Sequence, residues 1–350
     1  MQFRMSSEKG LLLALALWTF CPIGGPGGLN GREPAGPSCQ TARFYPIIQV
    51  PVKEKNNSNK KRMKRTARSG FFGSIARRIE GFLPFKARNG FNRALYQYLA
   101  RRVGEHEDLL FWNFGFAGPG SNGEKLPLAD SDEKHRYCIQ LYDHVASAVD
   151  LRGQDVLEVG CGCGGGSSFI MKRHLPRSFT ALDQAKEAIE FCNRRYSIPG
   201  LSFSCGKAES LPFEKDAFDV VINVESSHGY GSLDHFLKEV QRVLRLNGYF
   251  LFTDFRHKDQ IDELRGHLES SGFQFLKEEI ITPHVLQAME LDHERKMSLL
   301  NRKAPRLLFN SLKYWWGTKD SKRYELFSSG EEIYFSYVLQ KRNHSGGLSS

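Results

Sequence analysis

Cysteine is sparse and scattered in this chain. The seven residues, Cys21, Cys39, Cys138, Cys161, Cys163, Cys192 and Cys205, are odd in number and include no C-x-x-C pair. Cys161 and Cys163 are separated by one residue, too close for an easy disulfide, and no further Cys or His clusters near them as a metal site would need. Most of the seven read as small, reduced, buried side chains, and no metal is expected. Long apolar runs are also lacking. The longest lies at residues 11–21, short for a bilayer span, and nothing downstream is long and apolar enough to cross one. Acidic residues are scarce in the first 90 positions, with 4 Asp/Glu against 16 Lys/Arg, whereas residues 91–350 hold 35 against 33. The net charge of +10 therefore belongs to the N-terminal region, and the body is near neutral. With no basic stripe carrying interleaved aromatics elsewhere, a nucleic-acid partner is not expected.

The N-terminal region reads as three features. The apolar run, preceded by Arg4 and Lys9, fits a signal-peptide core, so residues 1–23 form a signal-like segment. Residues 24–85 form a basic, Gly/Pro-rich flexible linker that includes Arg62-Met-Lys-Arg65, similar to a proprotein-convertase site. Asn56 and Asn343 head N-glycosylation sequons. Together they point to the secretory pathway, with membrane association through the N-terminal segment, against a cytoplasmic alternative. The Arg-rich composition also partly fits a transit peptide.

Residues 86–350 are long enough for one large α/β domain. Helical patterns are expected at 91–103 and 134–149, with an aromatic-glycine loop between them at 109–120. Strands are then expected at 155–159, 179–182, 201–205, 219–224, 249–253, 273–281 and 333–339, with helices near 167–173, 186–196 and 233–244. This alternation predicts a Rossmann-like, doubly wound sheet with its ligand at the carboxyl ends of the strands. Residues 282–332 interrupt it with an insertion rich in aromatics (Phe309, Tyr314, Trp315, Trp316, Tyr324, Phe327). An insertion of that length is usually functional, and it reads either as a lid over an apolar substrate or as a satellite core.

The most informative stretch is Asp155-Val-Leu-Glu-Val-Gly-Cys-Gly-Cys-Gly-Gly-Gly-Ser167. A short strand runs into a loop of small residues and then a helix, so the backbone can approach a ligand and the helix start offers free N–H donors. Gly160, Gly162 and Gly165 also satisfy the dinucleotide pattern G-x-G-x-x-G. Glu158 at the strand end would repel a pyrophosphate but suits a cation, such as the amino group of S-adenosylmethionine (SAM). Asp183, followed by Gln184, ends the next strand, where a carboxylate can accept both ribose hydroxyls or cap the following helix. Lys207 and Ala208 follow the third strand, along the adenine edge. The fourth strand ends at Asn223-Val224 and leads into Glu225 and His228; the fifth ends in Asp254. Asp219, near the start of the fourth strand, reads as a structural tether.

As an ordered set these motifs resemble the class I SAM-dependent methyltransferases over roughly residues 91–342. Asn223-Val-Glu-Ser-Ser-His228 and Thr253-Asp-Phe-Arg256 resemble in particular the phthiotriol/phenolphthiotriol dimycocerosate methyltransferases and related small-molecule O-methyltransferases. The resemblance implies a seven-stranded sheet of order 3-2-1-4-5-7-6 with the last strand antiparallel. It implies SAM bound by Glu158, Gly160, Cys161, Gly162, Asp183, Gln184, Lys207, Ala208 and Asn223, with Trp112 and Asn113 in the loop that closes over it. Lys207 stands where many relatives carry Asp, and the N-terminal extension has no counterpart. His228 is the expected general base, with Asp254 orienting it and Glu225 a second candidate for base or substrate positioning. The expected acceptor is a hydroxyl or carboxyl oxygen of a hydrophobic lipid or polyketide. N- or C-methylation of a phosphobase or sterol, and a non-catalytic partner protein with the same fold, are the alternatives.

Overall fold

A computed structural model describes residues 108, 110–118, 125–304 and 309–342, all within one compact unit, Ala67–Ser350. The signal-like run, the basic linker, the helix expected at 91–103 and both sequons lie outside the described residues.

Seven strands, β1 (Asp155–Val159), β2 (Ser178–Asp183), β3 (Leu201–Cys205), β4 (Phe218–Val224), β5 (Leu244–His257), β6 (Phe273–Ile280) and β7 (Glu332–Lys341), form one sheet. Their order is β3-β2-β1-β4-β5-β7-β6, with β7 antiparallel to both β5 and β6 and the other pairs parallel. Ahead of the sheet lie α1 (Asp130–Glu133) and α2 (Arg136–Ala146). The connections carry α3 (Gly165–His174), α4 (Lys186–Arg195), α5 (Leu233–Val243) and α6 (Ile261–Ser270). The insertion before β7 folds as α7 (Thr282–Leu291), α8 (His293–Lys303), α9 (Phe309–Trp316) and α10 (Lys322–Ser328). Among the described residues no helix is long and apolar enough to cross a membrane.

Central strands are covered on both faces, so they read as continuous apolar runs rather than alternating ones. Val220, Ile222 and Val224 of β4 join α2, α3 and α7 in one core. The opposite side of β4 presents Val221 to α5 and α6. The reason α5 forms is local. Ser232 caps it by accepting the His235 amide at 3.3 Å, and Phe236, Leu237, Val240 and Val243 recur at helical spacing and are all buried.

Three elements differ from expectation. The fifth strand does not end in Asp254. Its parallel partner β4 stops at Val224 opposite Thr253, but antiparallel β7 carries the ladder on to His257 opposite Glu332. Asn247-Gly248, a pair that reads in sequence as a turn, lies inside that strand at a register shift, with Asn247 in the left-handed region at φ 63°. Helix α6 was not anticipated; its apolar face is only Ile261, Leu264 and Leu268 amid charged residues.

Candidate active site

The glycine loop is stapled to the end of β2. Gly160 N and Cys161 N both donate to Leu182 O, at 2.7 and 3.0 Å. Gly160 has φ 85°, and a Cβ there would lie 2.3 Å from Ser226 Oγ, so the position requires glycine. Gly166, in the first turn of α3, lies against the Tyr142 ring, where a Cβ would come within 2.1 Å. That approach places Tyr142 over β1, and its hydroxyl donates to Glu158 Oε1 at 2.9 Å, while the Ser167 hydroxyl donates to Oε2. Glu158 is fully buried. Burial pushes its carboxyl up to about 7, against the pull of the two hydroxyls.

Asp183 fixes the other side of the loop. Its Oδ2 accepts the Gly162 amide at 3.0 Å and its Oδ1 the Ala185 amide at 2.8 Å, just ahead of α4. The helix-capping reading of this residue therefore holds, and the same bonds set its buried carboxylate beside the glycine loop. Gln184 and Lys207 are exposed beyond the ends of β2 and β3, and Ala208 is buried beside them. Cys161, Cys163 and Cys192 are buried free thiols; burial pushes Cys161 well up and Cys163 to about 12, so neither is a ready nucleophile. Asn223 Nδ2, with two hydrogens to donate, lies 2.9 Å from Val159 O, 2.8 Å from Ser226 Oγ and 2.9 Å from Tyr230 Oη, tying β4 to β1. Its Oδ1 and that of Asn113 are buried without a hydrogen-bond partner among the described residues. Asp219 does serve as a tether, accepting the Asp155 amide at 2.8 Å and pairing with Arg245 at 2.7 Å.

The charged machinery lies past the ends of β4 and β5. Asp254 is fully buried, and His228 Nδ1 lies 2.8 Å from its Oδ1. The Phe255 amide also donates to Oδ1, and Oδ2 accepts from Ser227 Oγ at 2.6 Å and the His228 amide at 3.0 Å. Arg256 Nη1 sits 3.1 Å from the same oxygen. Burial opposes ionisation here, but the His228 and Arg256 charges with the hydrogen bonds outweigh it and hold the carboxyl well below its ordinary value. The His228 ring rests on Phe255 with centroids 4.5 Å apart, its side chain 39% exposed. With Nδ1 engaged by the carboxylate, Nε2 is the nitrogen left for other work.

Glu225 takes a different place. It has φ 45°, an uncommon conformation for such a residue, and its Oε1 accepts the Phe114 amide at 2.7 Å and the Tyr334 hydroxyl at 2.6 Å. Burial pushes it up to about 8. Glu225 thus pins the segment containing Trp112 and Asn113 to the sheet. Asn113 itself is held to α2, donating to Cys138 O at 3.3 Å, and Trp112 packs against both Leu299 and Leu300 of α8. The satellite-core reading of the inserted aromatics holds: Phe309, Trp315 and Trp316 pack with Leu300 and Leu312, and Phe327 joins the main core beside Phe114 and Phe255.

Sequence reasoning missed Tyr142, Ser167, Ser227, Tyr334 and the part played by Arg256. Only Arg256 carried a signal, lying two residues beyond Asp254 and so on the same face of β5. Among the described residues no group of three His, Cys, Asp or Glu is placed to hold a metal ion.

These features define an α/β protein with a nucleoside-cofactor site at the carboxyl ends of its central strands. Residues 157–252 match the model of a methyltransferase domain. The chain is 42% identical over 231 residues to a fatty-acid O-methyltransferase of Mycolicibacterium smegmatis, covering 66% of this chain and 83% of that protein. It is 35% identical over 249 residues to a phthiotriol/phenolphthiotriol dimycocerosates methyltransferase of Mycobacterium tuberculosis, covering 71% and 91%. Among solved structures, the [4+2]-cyclase SpnF matches with a TM-score of 0.53 at 20% identity, over 69% of this chain and 96% of that one. That likeness bears on the fold alone. The chain belongs to the class I SAM-dependent methyltransferases, and its cofactor is S-adenosyl-L-methionine. The residues present fit that cofactor: Glu158 is a buried carboxylate at the start of the glycine loop, and the Asn223 amide, tied to Val159 beside it, has an oxygen without a partner among the described residues.

Proposed function

We propose that this enzyme methylates an oxygen, hydroxyl or carboxyl, of a hydrophobic small molecule of lipid type. The observation that carries the reading is the His228–Asp254 pair, 2.8 Å apart, set against the aromatic wall of Phe255, Phe114 and Phe327. The similarity to a fatty-acid O-methyltransferase and a phthiotriol/phenolphthiotriol dimycocerosates methyltransferase supports a lipid acceptor.

SAM, when bound, supplies an electrophilic methyl group on a sulfonium. In this reading Glu158 and the Asn223 amide oxygen receive its amino group, Asp183 receives the ribose hydroxyls, and Gly160, Cys161 and Gly162 let the backbone pass close by. Ala208 lines the adenine edge, with Gln184 and Lys207 at its exposed rim. Trp112 and Asn113, pinned by Glu225 and α2, cover the site and exclude water.

His228 Nε2 accepts the proton of a hydroxyl acceptor, and Asp254 holds the ring in the required tautomer and stabilises the imidazolium. Asp254 never needs to take the proton itself, because Ser227, Arg256 and two backbone amides keep it ionised. A carboxylate acceptor is already a nucleophile and needs no base, so His228 would only position it. Glu225, largely protonated near neutrality, acts through the covering segment. The test is incubation of the full chain with methyl-labelled SAM and a panel of long-chain acids, long-chain alcohols, phosphobases and sterols. Label recovered in an ester or ether supports the reading; label on nitrogen or carbon overturns it.

A further inference from the structure

Lys296 of α8 is a buried charge whose position the contacts of the described residues do not explain. Its side chain is only 6% exposed, and its ammonium has no hydrogen-bond partner among the described residues. The nearest carboxylate, Asp292 Oδ2, lies 3.7 Å away. Both oxygens of Asp292 are already taken by the fork of Arg295, at 2.6 Å each. Asp292, Arg295 and Lys296 therefore leave a net charge of +1. A buried ammonium without hydrogen bonds is unfavourable, because nothing replaces the hydration it has lost.

The neighbours show what the charge faces. Lys296 favours the ionised forms of both the Cys138 thiol and the Glu225 carboxyl, although burial dominates each. Cys138 Sγ donates to Asn113 O at 3.5 Å, and the next residue, Phe114, donates to Glu225. Cys138 and Glu225 both hold the segment carrying Asn113, so the charge of Lys296 acts on that segment's two anchors. Around it on the same helix, Met297, Leu299 and Leu300 pack with Trp112 and Trp316. A single buried cation bordered by an apolar wall is complementary to an amphiphile with an anionic head.

We propose that Lys296 anchors a ligand carboxylate beneath the inserted helices. Two ligands of the proposed reaction carry that group: a long-chain acid acceptor and the amino-acid end of the cofactor. The apolar wall favours the acid. The inference rests on the lipid-acceptor reading but is tested by binding, which needs no turnover.

The experiment titrates the full-length protein, its Lys296→Met variant and its Lys296→Arg variant calorimetrically with decanoate, decan-1-ol, SAM and decarboxylated SAM. Thermal melts confirm that each variant is folded. The expected result is at least about tenfold weaker decanoate binding in Lys296→Met, the scale of a lost charged hydrogen bond. Lys296→Arg should keep most of that affinity, and decanol binding should be equal in all three. Weakened SAM binding with unchanged decarboxylated SAM would place the same anchor on the cofactor carboxylate. Equal affinities of every protein for all four probes overturn the proposal. Lys296-dependent decanoate binding without methylation would leave the anchor standing and remove the acceptor reading instead.

Discussion

Two buried glutamates give the site a pH signature. Free glutamate titrates near 4.5, but burial holds Glu158 at about 7 and Glu225 at about 8. Between those values the folded chain binds more protons than the unfolded one, so stability falls as pH rises from about 4.5 towards 8. Glu225→Gln keeps the shape and an oxygen for Phe114 N and the Tyr334 hydroxyl. It should raise the melting temperature at pH 8.5 by about 5 °C, and by much less at pH 4.5. Equal gains at both values in thermal melts would show that titration of Glu225 is not the cause. Cofactor affinity should depend on Glu158 with the opposite sense, since only the ionised carboxylate pairs with an ammonium. SAM binding measured by calorimetry is expected to weaken as pH drops below about 7, and Glu158→Gln should remove that dependence. The residues that could be read directly from the chain, Glu158, Asp183, His228 and Asp254, follow strand ends or glycine turns, where position alone implies a ligand. Lys296 and Arg323 could not be read this way: inward-facing charges on a helix look the same in sequence as solvated ones.

At the scale of elements, the glycine loop and the inserted helices carry separate expectations. Gly160→Ala puts a Cβ against Ser226 and Tyr230 and strains a φ of 85°. It should abolish measurable SAM binding while leaving the circular dichroism of the sheet and helices near wild type. In the insertion, Arg323 of α10 lies over the rings of Phe255 at 4.3 Å and Tyr314 at 4.4 Å and pairs with Glu332. It locks α10 to β7 and to the wall beside His228. Arg323→Met keeps the stem but loses the charge and should destabilise the fold by roughly 2 kcal/mol, with faster hydrogen exchange in α9 and α10. Unchanged exchange there would show that the guanidinium does not hold the insertion. β1 and β3 were legible to the residue because turn signals flank short apolar runs. The true extent of β5 was not, because it depends on pairing with β7, more than 70 positions away in sequence. Helix α6 was missed because three apolar residues in ten carry too little periodicity to read.

For the molecule as a whole, the order β3-β2-β1-β4-β5-β7-β6 was implied by resemblance, not by periodicity, which cannot say which strands are neighbours. Parallel strands from distant segments bring their carboxyl ends to one edge, and this assembles Glu158, Asp183, Asn223 and His228 into one site. The N-terminal region remains a proposal: its apolar run and sequons are read as directing the chain into the secretory pathway. Full-length protein expressed in animal cells should then lose apparent mass on treatment with an N-glycosidase, and unchanged mobility would contradict that reading. The central claim is oxygen methylation with His228 as base. It is tested most directly by single-turnover transfer from labelled SAM to a long-chain alcohol, comparing the wild-type chain with His228→Ala at matched cofactor occupancy. The account predicts a rate loss of roughly 10²–10⁴ in the variant. Equal rates would contradict it.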